Sequence, residues 1–364
     1  MKNICFVHPY FGCGGAEKGL ISLSLICKRK NIKTFLFTLN ISNQNARNKF
    51  DHIHVSPATK TIYSIIDLYN FACRNDVDII ILNQAFCIAI YTLPLTLILN
   101  IFAKKNTKLV AFERLSPYSF FLAKNPLTSF LRKFLYHLSL RAISLYAANS
   151  HEQVHSIANQ FNKLKTLYVR NTVANKLLEP SIPPNINHLY ISTSNDIVNL
   201  LWVGRLEKVK NPFLALETLK LLPENYNLTI FGSGSLSPFL AEFSNRNNIR
   251  QRVKFTSGLV DYSSFDCLIH TANYEGLPNV LIEAISKKVP VISTFFSTGL
   301  LELFIPYWVY ISPKNSVALA ELIIKAMSLQ HDEIRKTSDI SKLIDSYYSS
   351  EEQADDMFEL LDLA

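Results

Sequence analysis

Apolar residues fall along this chain in two alternating textures: short apolar runs bounded by turn formers, and longer stretches with helical spacing. In the first half, Ile4–His8, Lys33–Leu39, Val77–Leu82, Leu109–Phe112, Leu145–Asn149 and Thr166–Val169 read as strands, with a helix over Ala16–Lys28. In the second half, Asn199–Val203, Asn227–Phe231, Val253–Thr256, Cys267–His270 and Pro290–Ser293 read as strands. Pro212–Leu222, Ser237–Asn245, Asn279–Ser286 and Val317–Ser328 read as the helices between them. Alternation of short strands with helices predicts parallel sheets, and two such series predict two doubly wound α/β domains. Between them, a polar stretch with Pro180, Pro183 and Pro184 lacks clear periodicity and reads as the connection. The predicted layout is a first domain over 1–175, a linker over 176–196, a second domain over 197–345 and a last helix over 346–364.

Two further apolar stretches stand out. Ala85–Ala103 is uncharged and approaches the length of a membrane span, but Pro94 and Asn100 interrupt it, and a buried or interfacial helix is the better reading. Phe120–Leu145 mixes Phe, Leu and Tyr with Lys124, Arg132, Lys133 and Arg141. That is the composition of a helix lying on anionic lipid, with a half-exposed domain helix as the alternative.

The totals agree with two domains: 364 residues suit two units of roughly 100–200 each. The net charge of +8 hides an asymmetry. Residues 1–175 hold 21 Lys and Arg against 7 Asp and Glu, and the remainder holds 16 against 22. A basic half beside a mildly acidic half implies different partners. Anionic lipid is favoured over nucleic acid for the basic half, because no nucleic-acid module is recognised. Six scattered cysteines form no CxxC pair, so no zinc or dithiol site is indicated. The start, MKNICFVHPY, reads as a strand and not as a signal peptide, which predicts a cytoplasmic protein with reduced thiols.

Glycine is scarce and placed. Of ten, four lie within the first 19 residues, and the next is Gly204. HPYFGCGGAEK puts Gly14 and Gly15 between the first strand and its helix. VGRLEKVKN follows a strand end with Gly204, Arg205 and Lys210, a fixed fork and a movable point charge that suit a diphosphate or are ordinary surface cations. EGLPNVLIEAI puts Glu275 in a loop, shapes a turn with Gly276, Leu277 and Pro278, and opens a helix near the capping residue Asn279, with Glu283 one turn inside. A helix N-terminus favours phosphate, and carboxylates accept sugar hydroxyls. The pattern therefore reads as sugar at one end, ribose at the other and diphosphate between; the bland alternative is a solvated Glu275 and a surface Glu283. FGSGSLS lacks the third glycine of a dinucleotide fingerprint.

Taken in order, GRL with its lysine, FGSG, EGLPNVLIEA, PVIST and GLLE resemble the family 4 glycosyltransferases, retaining enzymes of GT-B architecture in which two Rossmann-like domains face a central cleft. The resemblance is dense from Leu200 to Glu302 and thinner before it. It implies that Arg205 and Lys210 bind the donor diphosphate and help the nucleotide leave. Glu275 would hold the donor sugar, Gly276–Asn279 would touch sugar and phosphate, and Glu283 would take the ribose. Gly232 and Gly234 would leave the nucleotide room, and Gly14 and Gly15 would let backbone reach the phosphates from the other domain. Glu113 and Arg114, in ERLSP, stand where many relatives carry a histidine; they would meet the acceptor, or else form a buried structural contact. AANS and RNTV, ending at Ser150 and Val173, resemble strand ends of the first domain. Thr271-Ala272 departs from the usual Pro-Ser, and Ser286-Lys287-Lys288 from the usual small residue and glycine.

The function so implied is metal-independent transfer of a sugar, with UDP as the expected nucleotide, to a lipid-linked or polysaccharide acceptor in bacterial surface glycan synthesis, such as lipopolysaccharide or O-antigen. The expected place is the cytoplasmic face of the membrane, held peripherally through the basic domain. A sugar-nucleotide epimerase of the same fold and a catalytically silent partner subunit are the alternatives.

Overall fold

The computed structural model describes residues 2–12, 15–42, 48–58, 61–102, 106–114, 118–121, 125–171, 197–297, 299–303, 308–329 and 350–364. The chain forms two compact units: Met1–Leu177 with Ser350–Ala364, and Leu178–Ser349. The predicted linker over 176–196 lies outside the described residues.

In the first unit the order is β1 (Asn3–Val7), β2 (Tyr10–Phe11), α1 (Gly15–Arg29), β3 (Lys33–Thr38), β4 (Asn40–Ile41), β5 (His52–Val55), α2 (Thr61–Arg74), β6 (Ile79–Asn83) and α3 (Gln84–Phe102). It continues with β7 (Lys108–Glu113), α4 (Tyr118–Phe121), α5 (Pro126–Leu140), β8 (Leu145–Ala148), α6 (His151–Gln160) and β9 (Lys165–Tyr168). Seven strands form a parallel sheet in the order β5-β3-β1-β6-β7-β8-β9. Its central strands, such as IIILN in β6, are buried throughout, as a sheet covered on both faces requires. One face packs against α2, α3 and α5, with Leu68, Tyr91 and Leu95 in its core. The other packs against α1, with Leu20, Leu23 and Ile26.

The second unit runs β10 (Val198–Val203), α7 (Pro212–Leu219), β11 (Tyr226–Phe231), α8 (Ser237–Arg246), β12 (Val253–Thr256), β13 (Cys267–His270) and α9 (Asn279–Ser286). β14 (Val291–Thr294), α10 (Gly299–Glu302), β15 (Val309–Ser312) and α11 (Ser316–Leu329) complete it. Its six parallel strands are ordered β12-β11-β10-β13-β14-β15. Both sheets are doubly wound, so each has a point where the strand order reverses: between β1 and β6, and between β10 and β13.

The last helix, α12 (Ser350–Leu363), belongs to the first unit. Met357, Leu360 and Leu361 join the core on the α1 face. Ser22 bonds Gln353 at 2.8 Å, and Asp356 accepts both the backbone N–H and Nε of Arg170 at 2.9 Å.

Two readings of the sequence change. The helix expected across Phe120–Leu145 resolves into α4 and α5, divided before the cap Asn125, whose side chain accepts the Leu127 N–H at 2.8 Å. Strands β5 and β15 and helices α2 and α6 add to the expected elements. β5 (HIHV) is half-exposed at the sheet edge and lacks an apolar run, and in α6 only Ile157 is buried. α3, read from the sequence as a buried or interfacial helix, is by length and composition apolar enough to cross a membrane, and Cys87, Ile88, Tyr91 and Leu95 are core residues of the first unit.

Candidate active site

Ligands of doubly wound sheets bind beyond the carboxyl ends of strands, where the order reverses. In the second unit that point is the β10/β13 pair. After β10 the chain turns through Gly204 and exposed Arg205 to Lys210, and Asn211 then adopts left-handed backbone at φ 48° before Pro212 starts α7. After β13 it passes through Thr271–Tyr274 to Glu275. The two loops meet: the Lys210 ammonium forms an ion pair with Glu275 Oε1. Glu275 is buried at 3% exposure, so it is not a solvated loop residue. Burial, and then the charge of Arg205, bring the Lys210 pKa down to about 7.

The loops are laced together by groups that sequence reading passed over. Thr271 Oγ1 accepts the Trp202 indole N–H at 2.9 Å and donates to the Asn211 carbonyl at 2.8 Å. The Asn273 N–H donates to the Val209 carbonyl at 2.8 Å. Thr271, noted as a departure from Pro-Ser, thus ties the strand before Arg205 to the loop that carries Lys210.

Gly232 and Gly234 have a packing reason as well as the expected one. A Cβ on Gly232 would lie 1.9 Å from the Gly204 carbonyl oxygen, and one on Gly234 would lie 2.5 Å from that of Leu206. Their missing side chains let the loop after β11 pack against the loop after β10. Glu207 closes the same junction by accepting the Ser235 N–H at 3.0 Å and hydroxyl at 2.8 Å.

In α9 the cap is Pro278, and Asn279, expected to cap, is the first helical residue. The cap Pro278 makes no side-chain bond to the helix, whose N-terminal dipole end is positive. Gly276, Leu277 and Pro278 are buried. Glu283 is 3% exposed and accepts the Tyr262 hydroxyl at 2.6 Å, so it is no surface charge.

The first unit gathers a second polar set at the carboxyl edge of its sheet. His8, after β1, and Asn83, ending β6, straddle the reversal point with Nδ1 and Nδ2 2.7 Å apart. His8 Nε2 lies 3.3 Å from Glu17 Oε1, which also accepts the Gly12 N–H at 3.5 Å. Against the cost of burial, the bond to His8 and its charge hold the Glu17 carboxyl below its ordinary value. Gly15 opens α1, and Gly14 lies outside the described residues.

Glu113 and Arg114 do not pair as a buried contact. Glu113 is 1% exposed and accepts the Ala85 N–H at the start of α3 at 3.2 Å and the Tyr136 hydroxyl at 3.3 Å. Arg114 turns the other way and donates from Nη2 to Asn171 Oδ1 at 2.7 Å. Its guanidinium occupies the space a Cβ on Gly19 would need, which accounts for a glycine inside α1. Both residues are anchors in this arrangement, with no exposed face of Glu113 to meet an acceptor hydroxyl. Asn149 and Asn171, placed from the sequence only as strand ends, join the network at 3.2 Å.

Comparison with known proteins decides what this geometry belongs to. Residues 194–344 match the model of the glycosyl transferases group 1 family. Over residues 194–344 the chain is similar to that family, and its two units have the GT-B fold. It is 28% identical over 225 residues to an uncharacterized glycosyltransferase of Methanocaldococcus jannaschii; the match takes 59% of this chain and only about half, 55%, of that relative's length. It is 26% identical over 315 residues, 80% of each chain, to the N-acetylgalactosamine-N,N'-diacetylbacillosaminyl-diphospho-undecaprenol 4-alpha-N-acetylgalactosaminyltransferase of Campylobacter jejuni. Among solved structures, HepE of Anabaena in complex with UDP-glucose superposes over the whole of both chains with a TM-score of 0.78 at 17% identity. WaaG, a glycosyltransferase involved in lipopolysaccharide biosynthesis, does so over 97% of this chain and 98% of its own with a TM-score of 0.72 at 16% identity. The family match covers the chain's β10–α11 region, where the charged motifs lie, and the structural likeness extends the fold to the first unit.

Proposed function

We propose that this transferase moves a sugar from a UDP-sugar to a lipid-linked saccharide, with retention at the anomeric carbon, at the cytoplasmic face of a membrane. The observation that carries the proposal is the Lys210–Glu275 ion pair at the β10/β13 reversal point, beside exposed Arg205. A nucleotide-sugar needs a cation at the diphosphate and a carboxylate at the sugar hydroxyls, and this pair supplies both from adjacent loops. Arg205 and Lys210 take the diphosphate. Glu275 takes sugar hydroxyls, Glu283 the ribose, and the open end of α9 a phosphate. As the C1–O bond to the diphosphate breaks, the acceptor hydroxyl enters on the same face and its proton passes to the departing phosphate oxygen. The cations stabilise the charge that develops there. The chain's own cations serve as the electrophile, and the reaction proceeds without a divalent ion.

The relatives support the finer terms: one is named for an undecaprenol-linked acceptor, and another was solved with UDP-glucose. The first unit supports the membrane. Leu127, Phe130, Leu131 and Phe134 form one face of α5 and are each more than half exposed, with Arg132 and Lys133 on the same helix.

The test is transfer from each common UDP-sugar to an undecaprenyl-diphosphate-linked saccharide in anionic vesicles containing EDTA, with product mass and anomeric configuration read out. One extended product of retained configuration supports the reading. Absence of both extended saccharide and UDP release contradicts it in favour of a silent subunit, and interconversion of the donor sugar without transfer contradicts it in favour of an epimerase.

A further inference from the structure

One imidazole at the donor site has no part in the roles above. His270 is the last residue of β13 and 4% exposed, and its Cα is in register with Ser293 of β14. Its two ring nitrogens meet different surroundings. Nδ1 lies 3.0 Å from Ser293 Oγ, and that hydroxyl donates to the Thr294 carbonyl at 2.9 Å. A hydroxyl has one proton. With it committed to Thr294, Ser293 only accepts, so Nδ1 carries the ring hydrogen and Nε2 is a bare lone pair. Burial, and then the charge of Lys210, hold the His270 pKa down at about 3, which keeps the ring neutral at working pH.

The lone pair is enclosed and has no hydrogen bond. It lies 3.7 Å from Glu275 Oε1, the same oxygen that takes the Lys210 ammonium. Two acceptors facing one another in a buried place repel unless a donor with more than one hydrogen serves both. An ammonium carries three. Phe296 packs edge-on to the imidazole with centroids 5.1 Å apart and keeps the ring from swinging away.

We propose that His270 Nε2 is the second acceptor of the Lys210 ammonium, a positioning group that keeps this cation at the donor site when the sugar hydroxyls draw off Glu275. The catalytic half of this rests on the transferase reading; the tautomer and the shared ammonium belong to the protein alone. With Glu275 as its only anchor, Lys210 would lose its place as the sugar binds. With Nε2 as well, the ammonium keeps one fixed partner while its other hydrogens turn to the leaving diphosphate. The effect therefore falls on kcat, where charge develops on the leaving oxygen, more than on KM.

Two experiments test it. Protein labelled with ¹⁵N-histidine, with the ring assigned through His270→Asn, should show a protonated Nδ1 and an unprotonated Nε2 across neutral pH. Lys210→Met should shift the Nε2 resonance toward that of a free lone pair. A protonated Nε2, or a resonance that ignores Lys210→Met, overturns the proposal whether or not any sugar is transferred. In the transfer assay, His270→Asn keeps a donor to Ser293 and removes Nε2, whereas His270→Gln carries an amide to the Nε2 position. Asn should lower kcat about tenfold or more with KM little changed, the scale of a misplaced catalytic group, and Gln should restore most of it. Equal losses in the two variants, or none in either, overturn the proposal. If the parent protein transfers no sugar, the transferase reading fails and the resonances still decide the shared ammonium.

Discussion

The two sheets end in polar clusters built by opposite means. In the second unit the carboxyl edge carries full charges on loops, Arg205, Lys210 and Glu275, each a few residues past its strand. In the first unit the edge carries the polar groups His8, Asn83, Asn149 and Asn171 beside the enclosed charges of Glu17, Glu113 and Arg114. The proposed function would account for the difference. A diphosphate leaving group demands charge, and charge demands loops that hold it against desolvation. A neutral saccharide acceptor asks only for hydrogen-bonding groups held in place.

That contrast can be broken most forcefully at Glu275. Glu275→Gln keeps the shape and removes the charge, and it should cost about 100- to 1000-fold in kcat, the scale for loss of one preorganised polar group. The check is initial rates at saturating donor. Retention of more than a tenth of the activity would deny the second unit its role.

Glycines in the two units give a structural version of the same comparison. Gly232→Ala drives a Cβ into the Gly204 carbonyl, rigid backbone on both sides, and should destabilise by about 3 kcal/mol. Urea denaturation measures it. In the first unit, Gly19→Ala meets the far end of a side chain, the Arg114 guanidinium, instead of backbone. A loss nearer 1 kcal/mol is expected there. Equal losses would mean that Arg114 is as firmly fixed as backbone.

These residues also mark where the sequence is legible. The strand–helix alternation predicted both sheets because their central strands are largely buried and read as apolar runs. Arg205, Lys210 and Glu275 stand out only through the ordered motifs that resemble a family, because a cation or carboxylate a few residues past a strand end is common by itself. His8 and Asn83 do not stand out, since 75 residues separate two polar groups that only the β1–β6 pairing brings together. Trp202, Thr271 and His270 were missed for another reason: each looks like an ordinary strand or loop residue until its hydrogen bonds are seen. Glu113 shows the converse, a conspicuous charge in a motif that proves to cap α3 from within the core.

The pH profile sharpens the electrostatic side. Lys210 is charged below its pKa of about 7 and neutral above it. Transfer needs the charged form, so kcat/KM, which reports the free enzyme, should fall as pH rises through about 7. An unshifted lysine would hold activity to about pH 10, and such a profile would show that Glu275 offsets burial fully.

The smallest expected effect on the fold comes from the exposed stripe of α5. Phe130→Asp with Phe134→Asp should change stability by no more than about 0.5 kcal/mol, because both side chains are already in water. Sedimentation with vesicles rich in anionic lipid should nonetheless fall several-fold. Unchanged sedimentation would remove α5 from the membrane reading and leave the donor site untouched.

The central claim is that the β10/β13 reversal point is a nucleotide-sugar site, and ligand-induced thermal stabilisation tests it most directly. UDP and UDP-sugars, compared with GDP and ADP, should raise the Tm saturably, because a ligand bound only by the folded protein must stabilise it. Arg205→Ala should abolish that rise while leaving the ligand-free Tm unchanged, since Arg205 is exposed. A rise that survives Arg205→Ala, or no rise with any nucleotide, would contradict the account.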